Sequence, residues 1–316
     1  MIRKRAQSLL AIDLAPEAVR VLDVALGRGA PAILAIAGAT LPEGGAETLP
    51  ERHIAALDTL LATHRLRGRQ CAAAVPTNLV TTRSVLIDPG KSGSPEEQIK
   101  QTLQNILTYD AKDLLFDFWR VTEPNEKSRA YEVLVVATQR TVVHKYLDGF
   151  TRLKLCCAHL DVAPCALASL IAQLMPEQDS MVGTVALGDT LGYFAVVEKR
   201  RVLFWRPFEL PPAKSGGQTG LDRIGHEISK CVSHMAGSQY LESLAEIVVF
   251  GNGAADEAFA GYLANRFNLR VRAPSPFDCL APGGLPADMP AAQRGAATYF
   301  AAALGLALQP AGGNHG

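Results

Sequence analysis

The sequence predicts an α/β fold built from two related halves, and three observations carry that expectation. Leu9–Val24 and Val182–Val197 both read as an apolar strand, a tight turn of small residues and a second apolar strand. A third glycine turn, Gly251-Asn252-Gly253, follows the apolar strand Ile247-Val248-Val249-Phe250 and precedes a helical pattern. Strand-like and helix-like segments alternate along the rest of the chain, as they do in layered α/β proteins.

In the first repeat, Leu9-Leu10-Ala11-Ile12-Asp13 passes through Leu14-Ala15-Pro16-Glu17-Ala18 into Val19-Arg20-Val21-Leu22-Asp23-Val24, which alternates like a half-buried strand. A further strand completes residues 1–40, and His53–His64 reads as a helix. Gln70–Val75 and Leu79–Ile87 read as strands, the first apolar enough to be buried. Ser94-Pro95-Glu96-Glu97 opens a helix with a capping Ser, Pro in the first position and Glu in the third, followed by Ile99, Leu103, Ile106 and Leu107. Phe116–Val121 and Tyr131–Thr138 are strands around a polar turn at 123–128. Thr141–Leu153 is helical, Lys154–Val162 a strand and Pro164–Leu174 a helix, with Pro176-Glu177-Gln178-Asp179 as the boundary between halves.

In the second repeat, Gly183-Thr184-Val185-Ala186-Leu187 meets Gly188-Asp189-Thr190 and continues as Leu191–Val197. A Pro- and Gly-rich loop at 210–217 leads to a helix at Leu221–Met235, the strand Ile247–Phe250 and a helix at Ala255–Phe267 with Asp256 and Glu257 in its first turn. A closing helix, Ala291–Leu308, crosses back to the first half, and its Ala and Gly content allows close approach of another backbone. The expected domains are 1–178, with an insertion at about 87–138, then 179–290, then a C-terminal helix at 291–310 that packs on the first domain.

The 316 residues suffice for a large core. With 31 basic and 31 acidic residues there is no net field to favour nucleic acid or an anionic membrane. A mean hydropathy of +0.10 with 20% charged residues argues against disorder. Asp13 interrupts the apolar run after the basic start Arg3-Lys4-Arg5, and no uninterrupted 18-residue apolar segment follows, so the chain reads as cytoplasmic. Six cysteines without a C-x-x-C pair read as reduced core residues. Gly90-Lys91-Ser92 imitates the end of a P-loop, but Val85 stands where its first glycine belongs. Cys156, Cys157, His159 and Cys165 match no zinc spacing, and no Ser-His-Asp or Cys-His setting is recognisable.

Turns of this kind aim backbone N–H groups at one point, which is how loops hold phosphate. The three turns in this order resemble the actin-like nucleotide-binding superfamily. Within it the chain is similar to the type IV pilus assembly protein PilM family. Ala11-Ile12-Asp13 with Val19-Arg20 resembles the family's opening Asp-X-Gly turn and Val-Lys. Val75-Pro76-Thr77-Asn78 with Thr82-Arg83-Ser84-Val85 resembles the lead into its inserted subdomain. Glu96-Glu97-Gln98-Ile99, Asp113–Phe118, Glu132–Ala137 and Ala303–Leu308 follow in the family's order.

The resemblance implies an actin-like (ribonuclease H-like) two-domain α/β fold with a small inserted α+β subdomain in the first domain. It also implies ATP with Mg²⁺ at Asp13, Gly188, Asp189, Gly251, Asn252 and Gly253. Hydrolysis on this fold needs acids at two phosphate hairpins. The first hairpin keeps Asp13, but Ala186 stands where the second acid is expected, and Asp189, three residues on, points elsewhere because side chains alternate along a strand. Ala15 adds a Cβ where the family has Gly, Pro16 removes an N–H and Glu17 adds a negative charge, each opposing phosphate. Asp256 and Glu257 read as a solvated helix cap rather than a nucleotide contact. No catalytic residue is assigned and no metal site is expected from the sequence.

What the resemblance further implies is a scaffold of a type IV pilus or related secretion platform, with nucleotide hydrolysis weak or lost. Its partner would be the cytoplasmic N-terminal tail of a PilN-like bitopic membrane protein, held in a cleft between the first-domain core and the insertion by Val75, Thr77, Asn78, Val80 and Thr82. The alternatives are an active ATPase or sugar-kinase-like phosphotransferase, with Asp189 or Glu227 as replacement acid, and an actin-like filament former.

Overall fold

A computed structural model describes residues 7–26, 30–42, 46–107, 110, 112–124, 126–127, 129–178, 180–210, 218–234, 244–252, 254 and 256–309. The loop expected at 211–217, Gly253 and part of the expected turn at 123–128 lie outside the described residues. In the first half, β1 (Gln7–Ala15), β2 (Ala18–Leu26) and β3 (Ala32–Thr40) are followed by α1 (Leu49–Thr63) and β4 (Gln70–Val75). A small unit of β5 (Thr81–Ile87), α2 (Pro95–Gln104), β6 (Leu114–Arg120) and β7 (Tyr131–Gln139) comes next, and α3 (Arg140–Arg152), β8 (Cys156–Val162) and α4 (Ala163–Leu174) complete the half. The second half runs through β9 (Met181–Leu187), β10 (Leu191–Glu198), β11 (Arg201–Glu209), α5 (Gln218–His234), β12 (Leu244–Gly251), α6 (Glu257–Phe267) and β13 (Arg270–Arg272). The chain then closes with α7 (Ala291–Gly295), a 3-10 turn (Ala297–Phe300) and α8 (Ala301–Ala307).

The two large sheets have the same topology, β3-β2-β1-β4-β8 and β11-β10-β9-β12-β13. In each, an antiparallel meander of three strands is extended by two parallel strands. The repeat legible in the sequence is thus a repeat of fold, with the turns Pro16-Glu17 and Gly188-Asp189-Thr190 at equivalent corners.

β5, β7 and β6 form a third sheet. Because β5 belongs to it, the inserted unit begins at Thr81, earlier than the expected boundary near Ile87. The segment expected as one strand from Leu79 divides into a 3-10 turn at Thr77–Leu79 and β5. β7 reads Val133-Leu134-Val135-Val136-Ala137, nearly all apolar, because both faces of its sheet are covered. Val133, Val135 and Ala137 pack with Ile99 and Leu103 of α2, whereas Leu134 and Trp119 join the large core that holds Val202 and Trp205 of β11. The insertion is therefore anchored on the second half, where Trp119 Nε1 donates to the Val202 carbonyl at 2.7 Å and Thr82 Oγ1 to that of Trp205 at 3.1 Å.

The expected capping box of α2 is present, with Ser94 N donating to Glu97 Oε2 at 2.8 Å and Glu97 N to Ser94 Oγ at 3.3 Å. This helix stops at Gln104, short of Ile106 and Leu107. The closing segment is not one helix: Gly295 ends α7, and a tighter turn separates it from α8. The expected close approach occurs in α8, where a Cβ on Gly305 would lie 2.0 Å from the Ala166 carbonyl oxygen of α4. Cys71, Cys165 and Cys231 are buried as expected of core thiols, while Cys156 is exposed.

Candidate functional site

The two corner turns and the end of β12 converge on a cleft between the halves, lined by Asp13, Pro16, Glu17, Arg20, Ala186, Gly188, Gly251 and Tyr299 among others. Asp13, at the end of β1, is 6% exposed, and Arg20 on β2 reaches its Oδ2 at 3.4 Å, the two residues being cross-strand partners. Burial pushes the Asp13 carboxyl above its ordinary range, and the Arg20 charge pulls it back. The same guanidinium lies over the Tyr299 ring, 5.4 Å from its centre.

Glu17 crosses the cleft. Its Oε1 accepts the Asp189 N–H at 2.9 Å, joining the turn of the first half to that of the second, and lies 2.2 Å from where a Cβ on Gly188 would sit. Only glycine at 188 lets this carboxylate in. Its other oxygen, Oε2, is buried without a hydrogen-bond partner.

Other turn donors are already committed within the chain. Gly188 N donates to the Leu191 carbonyl at 2.8 Å, Gly251 N to Thr298 Oγ1 at 2.7 Å and Asn252 N to the Leu187 carbonyl at 2.8 Å. Asn252 Nδ2 donates to Asp189 Oδ1 at 2.6 Å and to the Gly188 carbonyl at 3.1 Å, while its Oδ1 accepts the Tyr299 hydroxyl. The space left has a volume of about 80 Å³, against roughly 300–1,000 Å³ for small-molecule sites.

The first turn is braced from behind by His53 of α1. Its Nε2 lies 2.8 Å from the Ala15 carbonyl and its Nδ1 2.9 Å from the Tyr146 hydroxyl of α3. A carbonyl can only accept, so Nε2 carries the proton; with the ring neutral, Nδ1 accepts from the Tyr146 hydroxyl. The imidazole is fully buried, and desolvation lowers its pKa to about 4.

A second concavity, an open groove of about 550 Å³, lies between Val80–Ser84 at β5 and Phe204–Pro207 of β11, with Leu134 at its base. Both strands are edge strands of their sheets, so no neighbouring strand takes their outward backbone groups, although Thr82 and Arg83 side chains already bond the Trp205 and Thr82 carbonyls. Arg83 and Arg206 are exposed on the two walls.

A family model described as type IV pilus assembly protein PilM matches residues 11–219. The chain belongs to the PilM family. In the solved structures, the PilM–PilN type IV pilus biogenesis complex contains a chain that is 20% identical, with a TM-score of 0.78 over 96% of this chain and 98% of that one. A Bacteroides thetaiotaomicron protein with actin-like ATPase fold and unknown function is 10% identical, with a TM-score of 0.53 over 88% of this chain and 98% of that one. The cytoplasmic domain of EpsL, an inner membrane component of the type II secretion system of Vibrio cholerae, is 12% identical, with a TM-score of 0.50 over 77% and 82%. At these identities the likenesses show the actin-like fold.

In this PilM-family chain, Asp13, Gly188 and Gly251 line the cleft, and Asp189 and Asn252 lie beside it, bonded to Glu17 and to the Gly188 carbonyl; Gly253 is outside the described residues. Their bonds run within the chain, Asp13 to Arg20, Asp189 to Glu17 and Asn252, Gly188 to Leu191 and Gly251 to Thr298. Gly251 has φ +83°, and a Cβ there would lie 2.0 Å from the Leu187 carbonyl oxygen, so backbone packing alone demands glycine. Asp256 caps α6 by accepting from Ala258 N at 2.9 Å and Phe259 N at 3.3 Å. Of the two acids named as replacements, Asp189 is held by Asn252, and Glu227 pairs with Lys230 at 2.6 Å.

The expected partner-binding residues divide. Val80 and Thr82 share the groove wall, Asn78 is exposed, and Val75 and Thr77 are buried and line the cleft between the halves instead. On the core side, Thr138 Oγ1 donates to the Leu79 carbonyl at 2.7 Å, stitching the insertion to the core where an opening was expected. Thr298 and Tyr299, which the tight turn after α7 turns into the cleft, and the β11 wall lie outside the residues expected from the sequence. Pro207 was an available signal for that wall, since proline within a strand marks an edge.

Proposed function

We propose that this chain is a scaffold of a type IV pilus or related secretion platform, recruited to the cytoplasmic face of the inner membrane by the cytoplasmic N-terminal tail of a PilN-like membrane protein. The single observation that carries the reading is the groove between β5 and β11. Two edge strands facing one channel offer an extended segment main-chain hydrogen bonds, with side-chain pockets between them. Family membership and the likeness to a chain of a PilM–PilN complex support the choice of partner. Nucleotide hydrolysis is weak or lost in this reading, because Ala186 lines the cleft at the second hairpin, Asp189 is held by Asn252, and Glu227 of α5 is not among the residues that line the cleft.

The test is fluorescence anisotropy of a labelled peptide of that N-terminal tail against the full chain and its Ser84→Trp variant. Ser84 is exposed on the groove wall, so tryptophan there fills the channel without entering the core. Affinity is expected to fall at least about tenfold, the loss of one good interface contact. Equal affinity for both proteins would refute the placement of the tail.

A further inference from the structure

ATP with Mg²⁺, which the fold implies, fits the cleft poorly, and the misfit follows a pattern. A phosphate bridging two hairpins would need the N–H groups of the second turn. In this chain Gly188 N is used by Leu191, and Asp189 N by the Glu17 carboxylate. A divalent cation would need the Asp13 carboxylate, and the Arg20 guanidinium is on it at 3.4 Å. The positions of anion and cation are each taken by a side chain of matching charge from the first hairpin. The remaining volume of about 80 Å³ and the buried, unpartnered Glu17 Oε2 leave no place for a second anion beside the first.

We propose that Glu17 and Arg20 are built-in replacements for phosphate and metal, which hold the two halves of this actin-like fold closed without a nucleotide. Glu17 links the turns across the cleft, as a bound phosphate would. Arg20 neutralises Asp13 and, through Tyr299, reaches Asn252, which in turn grips Asp189. The ring is closed: first turn, second turn, third turn, and the segment before α8. In a chain so built, closure does not vary with the supply of nucleotide, and the fold serves as a permanently assembled frame. The inference rests on the proposed loss of turnover and adds what has taken the nucleotide's place.

The experiment combines thermal denaturation of the full chain, Glu17→Ala and Glu17→Gln in millimolar sodium pyrophosphate or Mg–ATP with hydrogen–deuterium exchange of the segment containing Asp189. The unaltered chain is expected to show the same Tm with and without either additive. In Glu17→Ala the Asp189 amide should exchange about tenfold faster, as loss of a hydrogen bond to a charged group implies, and pyrophosphate should raise Tm by filling the vacated seat. Glu17→Gln keeps an acceptor oxygen and should keep the protection, which preserves the test if the alanine variant does not fold. A Tm of the unaltered chain that rises with Mg–ATP overturns the inference; if ATP is also turned over, the proposed loss of hydrolysis falls with it. Unchanged exchange in Glu17→Ala, or lost protection in Glu17→Gln, overturns it as well. Binding of the tail peptide, measured in parallel, reports on the groove alone.

Discussion

Acid should destabilise this protein through His53. The imidazole is fully buried, with its nitrogens bonded to the Ala15 carbonyl behind the first turn and to the Tyr146 hydroxyl, and desolvation disfavours its charged form. Its pKa falls from an ordinary 6.5 to about 4. Between those values the unfolded chain binds a proton that the folded one refuses, so the contribution is complete above pH 6.5 and is lost as pH falls towards 4. At about 1.4 kcal/mol per pH unit, the full contribution is about 3 kcal/mol. Urea unfolding at steps between pH 7 and 4.5, with His53→Gln as the reference, isolates it from the carboxylates that titrate in the same range. The difference between the two stability curves should shrink steadily as pH falls. Parallel curves, or an imidazole titrating at its ordinary pKa in the folded chain, would refute the reasoning.

Gly305→Ala should cost more than about 2 kcal/mol in a denaturant titration, because its Cβ meets the Ala166 carbonyl oxygen of a neighbouring helix backbone that cannot move aside alone. Trp119→Phe removes the donor to the Val202 carbonyl and should cost about 1–3 kcal/mol; its second signature is faster hydrogen exchange in β5–β7 than in β1–β4. Asp256→Ala should cost about 1 kcal/mol, the value of a helix cap, and leave tail binding unchanged in the anisotropy assay.

Much of the fold could be read from the chain because local and long-range signals agreed there. The repeat at Leu9 and Val182, the Gln70–Val75 strand and the Ser94 cap all express preferences that the tertiary structure keeps. Misreadings arose where tertiary contact overrode composition. An Ala-rich segment looks helical throughout, yet Gly295 and the bonding of Thr298 to Gly251 break it. The short β13, Arg-Val-Arg, carries no apolar run and exists only because β12 is beside it. At the cleft, the sequence showed Glu17 as a charge opposed to phosphate, but not that it sits in the phosphate's seat; the reach of one side chain across 172 residues of sequence is not a local property.

The inserted sheet also decides how the halves can move. Two strands of backbone pass between them, at Pro176–Gln178 and again before α8, and bonds at Trp119 and Thr82 fasten the insertion of one half to the edge of the other. Two bars joined at one end can swing; two bars with a strut across them form a triangle and cannot. Any rotation that opened the cleft would have to shear the strut along β11, so the insertion resists from outside the same opening that Glu17 resists from within.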